Sequence, residues 1–445
     1  MSVIQRIKVS ELVTRTLLIK PSEPRSKSLI PEAGEKAIYL GHTDILRKPV
    51  FWRPEKLVNP HITILGGTGF GKSTTIETLI SRASIEFNSN ILVMDFTGEY
   101  VVYAEMVGGH VIQLGRDAIN VLDLGNGISP GIKAKQTEIA LKPFLDTEKA
   151  TRQARILRIL TEEAYKKKGI TNNIETWNRE PPTLKDVCNL LGELIFDAVT
   201  GDFKSKEYNE QITKIVQMMA SSHSMRESAI GLLEKLEVYT KPPNDVLARH
   251  STIQLEELFE SGFVVINLSK LPDENSRSSV AISILQFLVE YMRNKGLSKN
   301  PLQLIVVLDE AWKVISIEQS PVKPLYKEGR KYGVGVIVST QDVTDVQNYI
   351  TNNAGTTLLL KLQGQDRESV TKSMKLDPRL NDKIDRLGVG EGIVFMNFAK
   401  EYIEPFVMKV DPVIPEKFVQ VVFKLPSNPM NQLFPDALKR YRLAK

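Results

Sequence analysis

Residues 66–75 read GGTGFGKSTT. Gly66, Gly71, Lys72 and Ser73 fit G-x-x-x-x-G-K-[ST], the phosphate-binding loop. Its glycines let the backbone fold tightly, so that successive N–H groups point inward at a phosphate. The ligand-holding set is Gly67, Thr68, Gly69, Phe70, Gly71, Lys72, Ser73 and Thr74. In such a loop the lysine sits on the β- and γ-phosphates of a nucleotide such as ATP, and the serine hydroxyl on Mg2+. The context agrees: HITIL (61–65) reads as a strand entering the loop and 73–84 as a helix leaving it. That helix brings its positive end to the phosphates.

A second stretch, LIVVLDEAW (304–312), is a buried-type apolar strand ending in two acids. Open α/β sheets place ligands at the carboxyl ends of their strands. Asp309 is there to hold magnesium, directly or through water, and Glu310 to polarise a water for attack on the γ-phosphate. Two acids in that place argue for hydrolysis rather than transfer to a second substrate. The bland alternative, acids that merely open a helix, loses ground beside a phosphate loop.

EGRKYGVGVIVSTQ (328–341) is the third stretch. Gln341, at the tip of the next strand, can reach the γ-phosphate or the attacking water; it can equally cap a following helix. Arg330, with Lys331 beside it, is a candidate for charge stabilisation, across a subunit boundary if the protein forms a ring, or else a surface cation. In ILVMDFTGEY (91–100), Asp95 ends a core strand and Glu99 lies just beyond. Either orients water or an arginine, or Asp95 caps a turn; both readings stand.

These side chains need a scaffold, and the pattern supplies one. Residues 1–58 are rich in β-branched residues and punctuated by Pro21, Pro24 and Pro31, so they read as a small β-rich N-terminal cap. Residues 59–129 alternate strand and helix. Residues 130–255 become helical, with Ile156, Leu157, Leu160 and Ala164 on one face. The strand–helix rhythm resumes over 256–411: strands at 262–268, 303–308, 335–339, 356–362, 392–397 and 403–410, and an amphipathic helix at 276–295. Residues 412–445 remain as a C-terminal tail. The expected fold is α/β, a RecA-like doubly wound, largely parallel sheet interrupted by an α-helical insertion.

Composition narrows the classes. The 445 residues are 42% hydrophobic and 25% charged, as in a globular protein with a sizeable core. One cysteine, Cys188, excludes an internal disulfide framework, and five scattered histidines offer no zinc spacing. No apolar run spans a bilayer, and the first residues lack a signal core. The expected location is cytoplasmic, with any membrane recruitment left to a partner or to an anchor outside this sequence. A net charge of +5 permits nucleic-acid contact. A guanine-reading N-K-x-D and an LSGGQ-type signature are both missing.

Taken together, LVNPHITILGGTGFGKST (57–74), MDFTGEY (94–100), INVLDL (119–124), FVVINLSKL (263–271), LIVVLDEAW and EGRKYGVGVIVSTQ resemble the HerA–FtsK superfamily of ring-forming DNA-pumping ATPases. NPH, the INxLDL segment and the helical insertion look most like the conjugation and type IV secretion ATPases; MDFTGEY and EGRKYGVG also look like HerA, the partner of a DNA-end nuclease. Phe70 stands where a small residue is usual, and Val121 where proline is frequent. The resemblance implies Lys72 and Ser73 at the phosphates, Asp309 at Mg2+, Glu310 as base, Gln341 as sensor and Arg330 as a finger acting in trans. It also implies a homohexamer around DNA.

Two functions share these motifs. In one, ATP hydrolysis drives duplex or single-stranded DNA in transfer, import or processing, with residues 372–379 as candidate pore contacts. In the other, the same ring energises assembly of a pilus or secretion channel, and a protein is the substrate. The partners expected are DNA, further copies of the chain, and a membrane channel component or a nuclease.

Overall fold

The computed structural model describes Pro24 and residues 29–413, apart from 126, 146–148, 311, 318, 342–352 and 375. The apolar runs become an 11-stranded sheet in the order β2-β1-β11-β10-β9-β3-β8-β7-β4-β6-β5. Its parallel part holds β3 (Ile62–Leu65), β4 (Asn90–Asp95), β5 (His110–Gln113), β6 (Phe263–Asn267), β7 (Leu304–Leu308), β8 (Val334–Thr340) and β9 (Thr356–Leu359). β3, β7 and β8 are buried along their whole length. A parallel strand covered on both faces needs such an unbroken apolar run.

Side chains alternate between two cores, as the period of two requires. Ile91, Val93, Ile305 and Val307 face one cluster with Ile76, Leu79 and Ile80 of α1 (Lys72–Glu86). Leu92, Met94, Val306 and Leu308 face the other, shared with α8 (Glu274–Lys295). Helices therefore cover both faces.

Between β5 and β6 the chain runs through α3 (Pro130–Ala140), α4 (Ala150–Lys167), α5 (Leu184–Thr200), α6 (Glu210–Ser221) and α7 (His223–Glu237). The helical face expected on α4 is buried: Ile156, Leu157 and Leu160 are fully enclosed, and Ala164 nearly so. α5 starts on a reciprocal cap between Thr183 and Asp186 and stops at Gly201, whose φ of 84° suits glycine.

The stretch before residue 59 differs from the expected cap. β1 (Ile38–Thr43) and β2 (Pro49–Trp52) pair with each other, and β1 pairs antiparallel with β11 (Phe406–Val410). They extend the main sheet instead of forming a body of their own, because β11 and β10 (Glu391–Met396) present an antiparallel edge to them. β11 starts later than expected, just after Pro405, which has no N–H to donate to a ladder. Residues 1–23 and the tail beyond 413 lie outside the described residues.

The sheet's flank is fastened to α1 by one buried guanidinium. Arg82 donates to the carbonyls of Tyr39 (2.6 Å) and Asp411 (2.6 Å). The Asp411 carboxylate meets His42 Nδ1 at 3.1 Å, and Val413 N–H donates to Thr78 Oγ1 at 3.2 Å.

Candidate active site

β3 delivers the phosphate loop, β8 lies beside it, and β7 lies beside β8. The loop, Gln341 and the acidic pair therefore emerge at one edge of the sheet in that order. Gly66 N–H donates to Thr340 O at 3.4 Å and Gly67 N–H to Lys361 O at 2.9 Å, which pins the loop between β8 and β9. Gly71 has φ 96°, and a Cβ there would stand 3.2 Å from Gly390 N. Only glycine fits without strain and crowding. α1 begins at Gly71 with no side-chain cap, so its first-turn N–H groups are left for an anion.

Lys72 is buried, and its ammonium lies 3.0 Å from Gly66 O and 3.2 Å from Gly67 O. Burial lowers its pKa, and Asp309, Glu310 and Glu99 oppose that shift. Ser73 Oγ donates to Glu99 Oε2 at 2.8 Å. Asp309 is buried; its pKa is raised by burial and by the neighbouring Glu310 charge, while Lys72 pulls it back. Tyr100 O–H donates to Asp309 Oδ2 at 3.2 Å.

Glu310 adopts φ 53°, a left-handed conformation uncommon for a residue with a side chain. It breaks the direction of β7. Its Oε1 accepts from Gln341 Nε2 at 2.7 Å and its Oε2 from Trp312 Nε1 at 3.0 Å. Gln341 Oε1 in turn accepts from Thr68 Oγ1 at 2.6 Å. One chain of hydrogen bonds thus runs from the loop through Gln341 to Glu310.

Lys72, Ser73, Asp309, Glu310, Gln341 and Glu99 are brought together. Asp95 plays another part: its carboxylate accepts from the N–H groups of Thr97 (3.2 Å), Gly98 (2.7 Å) and Tyr100 (3.0 Å). It builds the turn that holds Glu99 and Tyr100. Burial raises its pKa, and these amides lower it again. Arg330 and Lys331 are not part of this group. They lie on the turn before β8, at the end of that strand away from Gln341, and Arg330 donates to Val58 O. Lys331 packs over the Tyr332 ring at 5.0 Å. In residues 372–379, Arg379 is held by Asp377 at 2.8 Å.

Sequence reasoning missed Tyr100, Trp312 and Glu77. The first two stand inside the quoted TGEY and LDEAW segments, and an aromatic within two residues of an acid was the available signal. Glu77 lies one turn past Ser73 on α1; burial and the nearby Glu99 charge push its carboxyl up to about 7.

The residues fit a magnesium nucleotide. An uncapped helix start, a buried ammonium on loop carbonyls, the Ser73 hydroxyl in the first turn of α1 and the buried Asp309 carboxylate after β7 are the donor set that such a ligand needs.

A parallel sheet with this loop and this acidic pair defines a P-loop ATPase of RecA-like fold. Residues 38–288 match the family described as "Helicase HerA, central domain", and the chain belongs to that family. Residues 202–377 also match the TraG P-loop domain.

The DNA import protein CedB of Sulfolobus acidocaldarius is 22% identical over 391 residues, covering 86% of this chain and 57% of CedB. The DNA double-strand break repair helicase HerA of Sulfurisphaera tokodaii is 25% identical over 360 residues, covering 79% and 64%. The chain thus spans less than two thirds of either relative. VirB4 of Thermoanaerobacter pseudethanolicus superimposes with TM-score 0.66 at 18% identity, over 87% of this chain and 99% of that one. The bacterial conjugative coupling protein TrwB, as its ΔN70 form, gives 0.61 at 13%, over 87% and 90%. These two likenesses concern the fold.

Proposed function

We propose that this chain is the motor of a DNA translocase, hydrolysing ATP with Mg2+ and using the cycle to move DNA. The hydrogen-bonded line Thr68–Gln341–Glu310, set between a phosphate loop and a buried aspartate, is the observation that carries hydrolysis. The DNA substrate is supported by the relatives, a DNA import protein and a DNA repair helicase.

In this reading the α1 amides and Lys72 hold the phosphates, Lys72 exchanging its loop carbonyls for phosphate oxygens. Ser73 and Asp309 hold the metal ion, which when bound neutralises charge developing on the β- and γ-phosphates. Glu310 takes the proton from the attacking water, and Gln341 orients that water and links Glu310 to the loop. We assign residues 59–129 and 256–411 to the ATPase core and 130–255 to the insertion. We further propose a homohexamer in which Arg330 of one subunit serves the site of the next. Mixed rings of Arg330→Ala and Glu310→Gln chains, each inactive alone, then regain part of the activity; no recovery at any ratio counts against it. Among the described residues no helix is long and apolar enough to cross a membrane. We place the chain in the cytoplasm, with any recruitment to a membrane left to a partner or to an anchor outside this sequence.

The test is ATP turnover with and without long duplex DNA at two salt concentrations. Stimulation that fades with salt supports the motor. Turnover indifferent to DNA favours an ATPase acting on a protein substrate in pilus or channel assembly.

A further inference from the structure

Outside the ATP site, the helical insertion carries a cleft of about 470 Å³ between α3, the turn after it, and the start of α4. Lys135, Lys142, Arg155 and Arg158 line it, with Glu138 as the sole acid among the described residues. That acid is already held by Lys135 Nζ at 2.5 Å. Arg155 and Arg158 have no side-chain partner among the described residues, and Arg155 is exposed.

The placement follows from the helix period. Ile156, Leu157 and Leu160 turn into the core. Thr151, Ala154, Arg155 and Arg158 share the opposite face, one turn apart, and all four line the cleft. Ala150, Thr151 and Ala154 are small, so a thick ligand reaches the cations unhindered. Ala150 is also the first residue of α4, which has no side-chain cap, so the positive end of an 18-residue helix opens onto the same space.

Gln319, on the connection from Glu310 to α10 (Val322–Glu328), also lines the cleft. That connection begins at the Glu310–Trp312 hydrogen bond. A ligand in the cleft therefore meets, at Gln319, the connection that follows the acidic pair.

We propose that this cleft binds the phosphate backbone of a nucleic-acid strand and is a DNA contact of the insertion. The inference rests on the DNA-motor reading and names where one contact lies. Among the described residues, cations on two helices with a single acid already paired to Lys135 suit a polyanion of uniform charge. An acidic protein segment is the competing occupant.

The test compares the full-length chain with R155E/R158E and with a control, K185E/K204E, that carries the same change in net charge on exposed sites elsewhere in the insertion. Duplex DNA affinity is measured across a salt series, and nucleotide binding confirms that each variant is folded. The expected result is a loss of affinity on the order of tenfold or more for R155E/R158E. The salt slope should also flatten by about 2, one for each phosphate contact. The control should behave as wild type.

Wild-type binding with R155E/R158E no weaker than the control overturns the cleft and leaves the motor standing. A wild-type chain that binds no DNA overturns the motor reading. Loss of polyglutamate binding with DNA binding intact overturns the nucleic-acid assignment in favour of an acidic protein.

Discussion

Gln341 Nε2 stands 2.7 Å from Glu310 Oε1, so the tip of β8 and the end of β7 are joined by side chains as well as by their backbone ladder. The same Gln341 accepts from Thr68 Oγ1 on the phosphate loop. β3 and β7 are separated by the width of β8, about 9–10 Å at two inter-strand spacings. Gln341 stands between them and links the Glu310 carboxylate to the loop. Gln341→Ala should therefore lower kcat on the order of 100-fold, as misplacement of a reacting group does. Nucleotide affinity should change little. An unchanged kcat would remove Gln341 from the reaction.

Glu310→Gln keeps the hydrogen-bonding shape and loses the base. We expect nucleotide to bind near wild-type strength while turnover falls by roughly 100-fold or more. Equilibrium binding of a fluorescent ATP analogue beside phosphate release separates the two; full turnover would sink the assignment.

Lys72 is the buried cation on the loop carbonyls. Lys72→Ala should abolish nucleotide binding by the same fluorescence measurement while the chain stays folded by circular dichroism. Retained tight binding would contradict its role.

His61 is fully buried; its Nδ1 accepts from Val336 N–H at 3.2 Å and Nε2–H faces Tyr326 O at 3.1 Å. Burial pushes its pKa down to about 3, against a Tyr326 carbonyl that favours the proton. Below about pH 6.5 the unfolded chain takes a proton that the folded chain refuses, so stability falls as pH drops from there towards 3. The contribution reaches up to about 1.4 kcal/mol per pH unit. Urea unfolding of wild type and His61→Gln between pH 7 and 4.5 should show the steeper loss in wild type; parallel curves would disprove the neutral buried histidine.

Glu77 has the opposite sign. Its folded pKa, about 7, lies above the unfolded value. The folded state is therefore weakened as pH rises from about 4.5 through 7, when a half-buried carboxylate must charge beside Glu99. Glu77→Gln should gain stability at pH 8, on the order of 1 kcal/mol once solvent screening is allowed for, and little at pH 5. A thermal midpoint for Glu77→Gln that does not exceed wild type at pH 8 would refute the strained pair.

Much of this was legible. Unbroken apolar runs mark strands buried on both faces, so β4, β6, β7 and β8 are found within a residue or two of their expected limits. β5 escaped because HVIQ is an edge strand, exposed or half-buried throughout and without an apolar run. The joining of β1 to β11 pairs Gly41 with Val410, a contact so distant along the chain that no local pattern encodes it. At the site, residue types and spacing named the loop and the acids. The left-handed turn at Glu310 and the amides gathered by Asp95 depend on three-dimensional placement, which spacing does not carry. Arg330 shows the remaining difficulty: a motif names a residue, while the single folded chain sets it at the far end of its strand.

The Arg82 clamp has a mechanical consequence. The helix that starts at the phosphate loop, the strand β1 and the exit of β11 are bolted together through one guanidinium on the carbonyls of Tyr39 and Asp411. Thr78 adds a second rivet at Val413. Such a unit cannot bend at its joints without stranding a buried charge. A torque exerted on α1 at the loop is therefore passed on to β1 and to the point where the chain leaves β11, which turns with it as the end of a lever.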